Sequence, residues 1–212
     1  VAETETGEEA KLELALFSTK SATLRVIDNP TSADDLAAVM RRTRGAAGVN
    51  GGYFDPQDLP LGLLISDGKQ IAPQRKARLL SGVIVVTKGR VELLRSAEYS
   101  SRKNVTAALQ CGPFLVDGGR AVPGLNNTRS ARRTFILTGG ADRAAIGFCS
   151  SVTLAELGDI LATPGVVPDL KVQRALNLDG GSSSAFWFAG DNGPFSIREL
   201  KRVRNFVVVV PK

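Results

Sequence analysis

A chain of 212 residues with 43% hydrophobic content is long enough for one domain with a proper core, and it holds no apolar run of the roughly 18 residues that a membrane helix requires. Its 27 Lys and Arg against 21 Asp and Glu give a formal charge of +6, which favours anionic ligands; the cations are scattered without interleaved aromatics, which speaks against a nucleic-acid groove. There is no histidine, so Ser-His-Asp catalysis, histidine-ligated zinc and a histidine general base are excluded. Acid–base work then falls to carboxylates, Lys, Tyr or Cys.

Residues 1–10 are mostly polar and acidic and read as a flexible N-terminal arm before a domain over 11–212. The chain opens on Val1 rather than Met, so a processed, exported protein is the expectation. Residues 11–18 and 22–27 alternate or run apolar and predict a first hairpin. Ser32 reads as an N-cap with Asp34 and Asp35 in the first turn of a helix that stops near Gly45. A strand over 46–50 follows and breaks at Gly51-Gly52. Asp67-Gly68 and Lys88-Gly89 each sit between apolar runs and predict two hairpins. Strands over 106–110 and 114–116 bracket Cys111-Gly112-Pro113, and strands over 133–138 and 143–148 are joined across 139–142. Thr153 with Glu156 makes a capping box, and Leu154, Leu157, Ile160 and Leu161 give its helix one apolar face. Strands over 172–178, 185–188 and 206–210 complete the pattern. Two helices among about ten or more strands predict an α+β single domain on a large, mainly antiparallel or mixed sheet. Cys111 and Cys149 lack metal spacing and leave two alternatives, one disulfide or two buried thiols.

Three glycine-rich breaks follow strands: Asn50-Gly51-Gly52, Asp117-Gly118-Gly119, and Asn177-Leu178-Asp179-Gly180-Gly181. The second reads as an ordinary hairpin turn. In the third, Asn177 and Asp179 share one strand face by the two-residue period, ahead of bare amides at Gly180 and Gly181 and the hydroxyls of Ser182 to Ser184. Amide and carboxylate side chains are costly to bury without partners, so a polar pocket lining is the expectation. Arg133-Thr134, at the head of an apolar strand, is the best anion site, because arginine is always charged and its planar fork suits phosphate oxygens. Asn50 and Asn205 sit at strand borders.

The ordered set of these segments resembles the phosphodiester glycosidase family. The resemblance runs through Asn50-Gly51-Gly52-Tyr53-Phe54-Asp55, the stretch 60–69, Gln110 with Gly112-Pro113, Arg133-Thr134, the helix at 153–157, Asn177 to Ser183 and Val203-Arg204-Asn205. It implies an exported hydrolase that cleaves a sugar 1-phosphodiester on the glycosidic side, releasing the sugar and leaving a phosphomonoester. On that resemblance Asp179 is the expected key carboxylate, Arg133 grips the phosphate and Asp55 is the candidate second carboxylate. Asn50, Gly51, Gly52, Gln110, Thr134, Asn177, Gly180, Gly181, Ser182 and Asn205 are the expected substrate contacts. No cofactor is called for, although a divalent cation bound through Asp and backbone oxygens is compatible with these residues. The expected partner is a sugar-phosphate or glycan, with neither nucleic acid nor a membrane span. Two rivals use the same residues: a non-catalytic module for phosphate-containing glycans, and a metal-dependent phosphodiesterase, which would want a denser carboxylate cluster.

Overall fold

The computed structural model describes residues 2–3, 9–88, 90–140 and 142–212. The chain opens with the short pair β1 (Ala2–Glu3) and β2 (Glu9–Ala10), then β3 (Leu12–Ser18), β4 (Ala22–Asp28), helix α1 (Leu36–Thr43) and β5 (Ala47–Asn50). Next come β6 (Leu64–Ser66), β7 (Lys69–Ala72), β8 (Gly82–Thr87), β9 (Arg90–Arg95) and β10 (Val105–Cys111). They are followed by β11 (Phe114–Asp117), β12 (Arg120–Ala121), β13 (Ala131–Gly139), β14 (Arg143–Val152), helix α2 (Leu154–Ala162) and β15 (Val172–Asn177). After a 3-10 turn at Gly181–Ser183, β16 (Phe186–Gly190), β17 (Gly193–Ile197) and β18 (Asn205–Pro211) close the fold.

Besides the β1–β2 pair, the strands form three antiparallel sheets in the orders β7-β6-β10-β8-β9, β12-β11-β15-β13-β14-β3 and β17-β16-β5-β18-β4. The α+β class with two helices holds, and the strands are divided among three sheets around shared cores. Alternation assigns each strand to two of these cores. In β18, Val207 and Val209 face a central core fed by all three sheets, while Phe206 and Val208 pack with Val39 and Met40 of α1. In β13, Ile136 points to the centre, and Phe135 and Leu137 meet Leu157 and Leu161 of α2. In β8, Ile84 and Val86 point inward, while Val83 and Val85 join Leu63 and Ile65 in an outer cluster. Burial on both faces is why these strands read as unbroken apolar runs although they are antiparallel.

Two local expectations are corrected. β3 and β4 do not form a hairpin: β3 pairs with β14 and β4 with β18, in different sheets. Apolar alternation marks a strand but not its partner, which is set by the core that each face must reach. The cap of α1 is Asp35, not Ser32. Asp35 is extended (φ −86°, ψ 167°) and its Oδ1 accepts from the Ala38 amide at 2.7 Å, whereas Ser32 is buried in the preceding turn with φ 49°. The Asp67-Gly68 hairpin and the Thr153–Glu156 capping box form as expected. Of the other two turns, Gly89 and Ala141 lie outside the described residues. So do Val1 and residues 4–8 of the N-terminal arm; Ala10, at its end, is buried. Cys111 in β10 and Cys149 in β14 are buried free thiols. Burial pushes them up to about 12 and about 11, so neither is a thiolate at neutral pH.

Candidate functional site

The polar residues singled out in sequence meet where strand ends of two sheets converge. Asn50 ends β5 and Asn205 begins β18 in one sheet; Thr134 lies in β13 and Asn177 ends β15 in another. Backbone hydrogen bonds stitch the sheets together through Gly51, whose amide donates to the Asn205 carbonyl at 2.8 Å and whose carbonyl accepts from the Asp179 amide at 3.0 Å. A Cβ on Gly51 would sit 2.0 Å from Asn205 Oδ1, so only glycine permits this approach.

Asn50 is the centre of a buried network. Its Nδ2 donates to the Asp179 carbonyl at 2.7 Å, and its Oδ1 accepts from the Ala185 amide at 3.1 Å and the Thr134 hydroxyl at 2.8 Å. Thr134 Oγ1 also lies 2.8 Å from the Asp179 carbonyl. Both ends of the loop from Asp179 to Ala185 are therefore anchored to β5 and β13. Leu200 N donates to Ser182 O at 2.7 Å, and Arg132 donates to the carbonyls of Ser184 and Arg198, which holds the segment around 198–200 over the same loop.

The Asp179 side chain is half-buried. Burial raises its pKa above the ordinary aspartate value, opposed by the Ser183 hydroxyl, the Lys201 charge and the Gly180 amide. Arg133 is buried: its Nε donates to Val152 O at 3.1 Å and its Nη2 to Arg129 O at 2.7 Å. Its Nη1 lies 3.5 Å from the position that a Cβ on Gly180 would take, beside the Asp179 loop. Burial lowers the Arg133 pKa, but a guanidinium stays charged at any physiological pH. Among the described residues neither Asp179 nor Arg133 enters an ion pair. Tyr53 stands within the electrostatic reach of both, its pKa raised chiefly by burial, so its hydroxyl keeps its proton and donates to Gly112 O at 2.5 Å. Asn177 Nδ2 donates to the same carbonyl at 3.0 Å and to the Tyr53 oxygen at 3.3 Å.

Buried side-chain atoms without a protein partner, among the described residues, are Ser32 Oγ before α1 and, around this loop, Arg132 Nε, Asn177 Oδ1, Ser184 Oγ and Asn205 Nδ2, while Ser183 Oγ has only the Asp179 carboxylate beside it. Such atoms are uncommon in a packed core, and their concentration here marks a region built for polar contact.

Several expected contacts are already occupied. Gln110 Oε1 accepts from the Leu63 and Arg75 amides at 3.1 and 3.0 Å, while Nε2 donates to Arg75 O, Leu80 O and Ser96 Oγ. It clips three loops together and has no capacity left for a sugar. Gln110→Ala is expected to cost about 2–3 kcal/mol of stability by stranding these groups, measured by urea denaturation. Asn50 gives its Oδ1 and one Nδ2 hydrogen to supporting the Asp179 loop. Asp55 Oδ1 accepts from the Gln57 and Leu59 amides, each at 2.9 Å, so that oxygen caps its own turn. Ser182 is exposed. Tyr53 and Gly112 lie within motifs but carry no local signal of a role, and Lys201, one of several cations in the basic stretch 198–204, is indistinguishable in sequence from solvated charge. Arg204 of the closing motif pairs with Asp28 at the β18–β4 junction and is structural.

The model of the phosphodiester glycosidase family matches residues 43–210, which span the whole constellation from Asn50 to Asn205. The chain belongs to this family. No curated protein sequence matches it. Among solved structures it is similar to the catalytic domain of zebrafish N-acetylglucosamine-1-phosphodiester α-N-acetylglucosaminidase, with TM-score 0.69 and 13% identity over 100% of this chain and 86% of that one. A hypothetical protein from Synechocystis gives TM-score 0.64 and 17% identity over 99% and 61% of the two chains. A candidate exported protein from Burkholderia pseudomallei gives 0.63 and 12% over 94% and 74%. At these identities the structural likeness shows a shared phosphodiester glycosidase fold. No helix is long and apolar enough to cross a membrane among the described residues.

Proposed function

We propose that the chain hydrolyses the glycosidic bond of a sugar 1-phosphodiester, with Asp179 and Arg133 as its principal catalytic groups. The observation that carries this reading is a half-buried carboxylate and a buried guanidinium, neither in an ion pair among the described residues, beside one loop whose backbone is anchored by Asn50 and Thr134. Family membership supports the reaction class.

In the proposed reaction the bond between the anomeric carbon and the phosphate oxygen breaks, and its electron pair leaves on that oxygen. Arg133 stabilises the charge gathering on the phosphate. Water adds to the anomeric carbon and gives a proton to Asp179, which passes it to solvent; a raised pKa makes Asp179 a stronger base than an ordinary carboxylate. The phosphate monoester is a good leaving group, so strong acid assistance is unnecessary, in keeping with a chain that lacks histidine. Asn177 and Asn205, each with one amide atom free of protein partners, are assigned to the sugar hydroxyls. Asp55 is assigned to its turn. The reaction draws on side chains alone, and activity is expected to survive a chelator. An exported setting is part of this reading, supported by the fold shared with a candidate exported protein.

Arg133→Ala is expected to lower kcat/KM by about a hundredfold, the scale for losing a charge-assisted contact. Arg133→Lys, which keeps the charge without the fork, should recover part of it in steady-state kinetics on a sugar 1-phosphodiester. Turnover in oxygen-18 water separates the readings: heavy oxygen in the sugar is expected, heavy oxygen in the phosphate would reassign the chain to P–O cleavage, and binding without product would leave a glycan-binding module.

A further inference from the structure

A second concavity, a cleft of about 440 Å³, is lined by Arg78, Leu79, Pro113, Leu125, Asn126 and Leu154. Hydrogen-bonded neighbours connect it to the proposed phosphate site on two sides. On one side, Arg133 donates to Val152 O and Arg129 O; Val152 leads into Leu154 through Thr153, and the Arg129 amide is held by Asn126 Oδ1 at 3.0 Å. On the other, the Gly112 carbonyl takes the Tyr53 and Asn177 hydrogen bonds, while the next residue, Pro113, lines the cleft. A phosphate gripped by Arg133 would therefore have the sugar toward Asp179 and its other ester group toward this cleft.

The cleft's chemistry is apolar with one charge. Leu79, Pro113, Leu125 and Leu154 supply its walls, and Leu79 is 50% exposed. Arg78 is the single ionisable side chain on the lining, and no carboxylate opposes it. Asn126 spends its side chain on its own turn, its Oδ1 on the amides of Thr128 and Arg129 and its Nδ2 on the Thr128 hydroxyl. No aromatic ring is present to stack on a base, and no free donor or acceptor pair to read one, so a nucleoside fits poorly. A pocket of this volume, largely apolar with one cation next to an anion site, fits the aliphatic end of an amphiphile.

We infer that the cleft is the subsite for the group beyond the phosphate, and that this group is an aliphatic, lipid-type alcohol. The substrate class is then a glycosyl 1-phosphate esterified to a long alkyl or polyprenyl chain, with Arg78 as the one cation that the cleft itself offers. This rests on the proposed glycosidase reading, and it deepens that reading by naming the leaving group as an alkyl phosphate.

The test measures binding apart from turnover. Octyl phosphate and methyl phosphate, both below micellar concentration, are titrated calorimetrically into the full chain, its Leu79→Ser and Leu125→Ser variants, and Leu16→Ser as an exposed control on β3. Each methylene buried is worth roughly fourfold in affinity, so octyl phosphate is expected to bind at least about fiftyfold more tightly than methyl phosphate. Leu79→Ser and Leu125→Ser should each cut that preference about fivefold or more, and Leu16→Ser should leave it unchanged. Equal affinity for the two phosphates would overturn the inference, as would a preference insensitive to both cleft variants. A dimer in sedimentation that Leu79→Ser dissociates, with no octyl phosphate bound, would give the cleft to a second copy of the chain and equally overturn it. Hydrolysis of a methyl glycosyl 1-phosphate by the same preparation reports separately on the glycosidase reading, so either can fail alone.

Discussion

Asp179→Asn is expected to lower turnover of a sugar 1-phosphodiester by about a thousandfold while leaving the protein folded and, at neutral pH, more stable than wild type. The kinetic loss follows from removing the base and the negative charge beside the anomeric carbon, within the usual range for general-base catalysis. The stability gain follows from the raised pKa of Asp179, whose first cause is burial. In the unfolded chain an aspartate titrates at about 3.9. With a higher value in the folded state, the native protein holds more protons between the two, so wild-type stability declines as pH rises through that window and stays lower above it. Asparagine carries no such penalty. The difference in melting temperature between variant and wild type should be present at pH 7 and vanish below about pH 4, the unfolded-state value. The kcat/KM of wild type should fall on the acid side with a midpoint above that of an ordinary aspartate. A variant that keeps full turnover would remove Asp179 from the chemistry, and one destabilised at pH 7 would contradict the electrostatic account.

Asn50→Ala is expected to cost about 3 kcal/mol of stability, because one substitution strands the buried Ala185 amide and leaves the Asp179 carbonyl and the Thr134 hydroxyl with only each other. For a domain of this size that is roughly a 10 °C fall in melting temperature. The loop carrying Asp179 loses its Asn50 bond at each end, and kcat should drop about a hundredfold even where the variant remains folded. Thr134→Val removes only one spoke of the network and should show a smaller version of both effects. Normal kcat in a folded Asn50→Ala protein would mean that the loop is held by its remaining bonds, among them that between the Asp179 amide and Gly51 O.

What sequence alone determined was local and compositional. The absence of histidine limited the chemistry, the capping box at Thr153–Glu156 and the Asp-Gly turn at 67–68 fixed two element boundaries, and apolar runs located the long strands. The ordered motifs also named the family that the comparison with its model then established. These signals are carried by neighbours in the chain, so they survive without a fold.

Tertiary structure decided what depends on distance between segments. Asn50 and Gln110 look in sequence like ligands for a sugar, and only the contacts across 129 and 35 residues, to Asp179 and Arg75, show that they also tie distant segments together. Tyr53 and Arg133 lie 80 residues apart in the numbering and come within electrostatic reach of each other only because two sheets meet at their strand ends. The partner of β3, the fate of the two thiols and the apolar cleft beside Arg133 were likewise set by how three sheets share one core. A side-chain pattern encodes which face of a strand is buried; which residue lies opposite is settled by the packing of all the faces together.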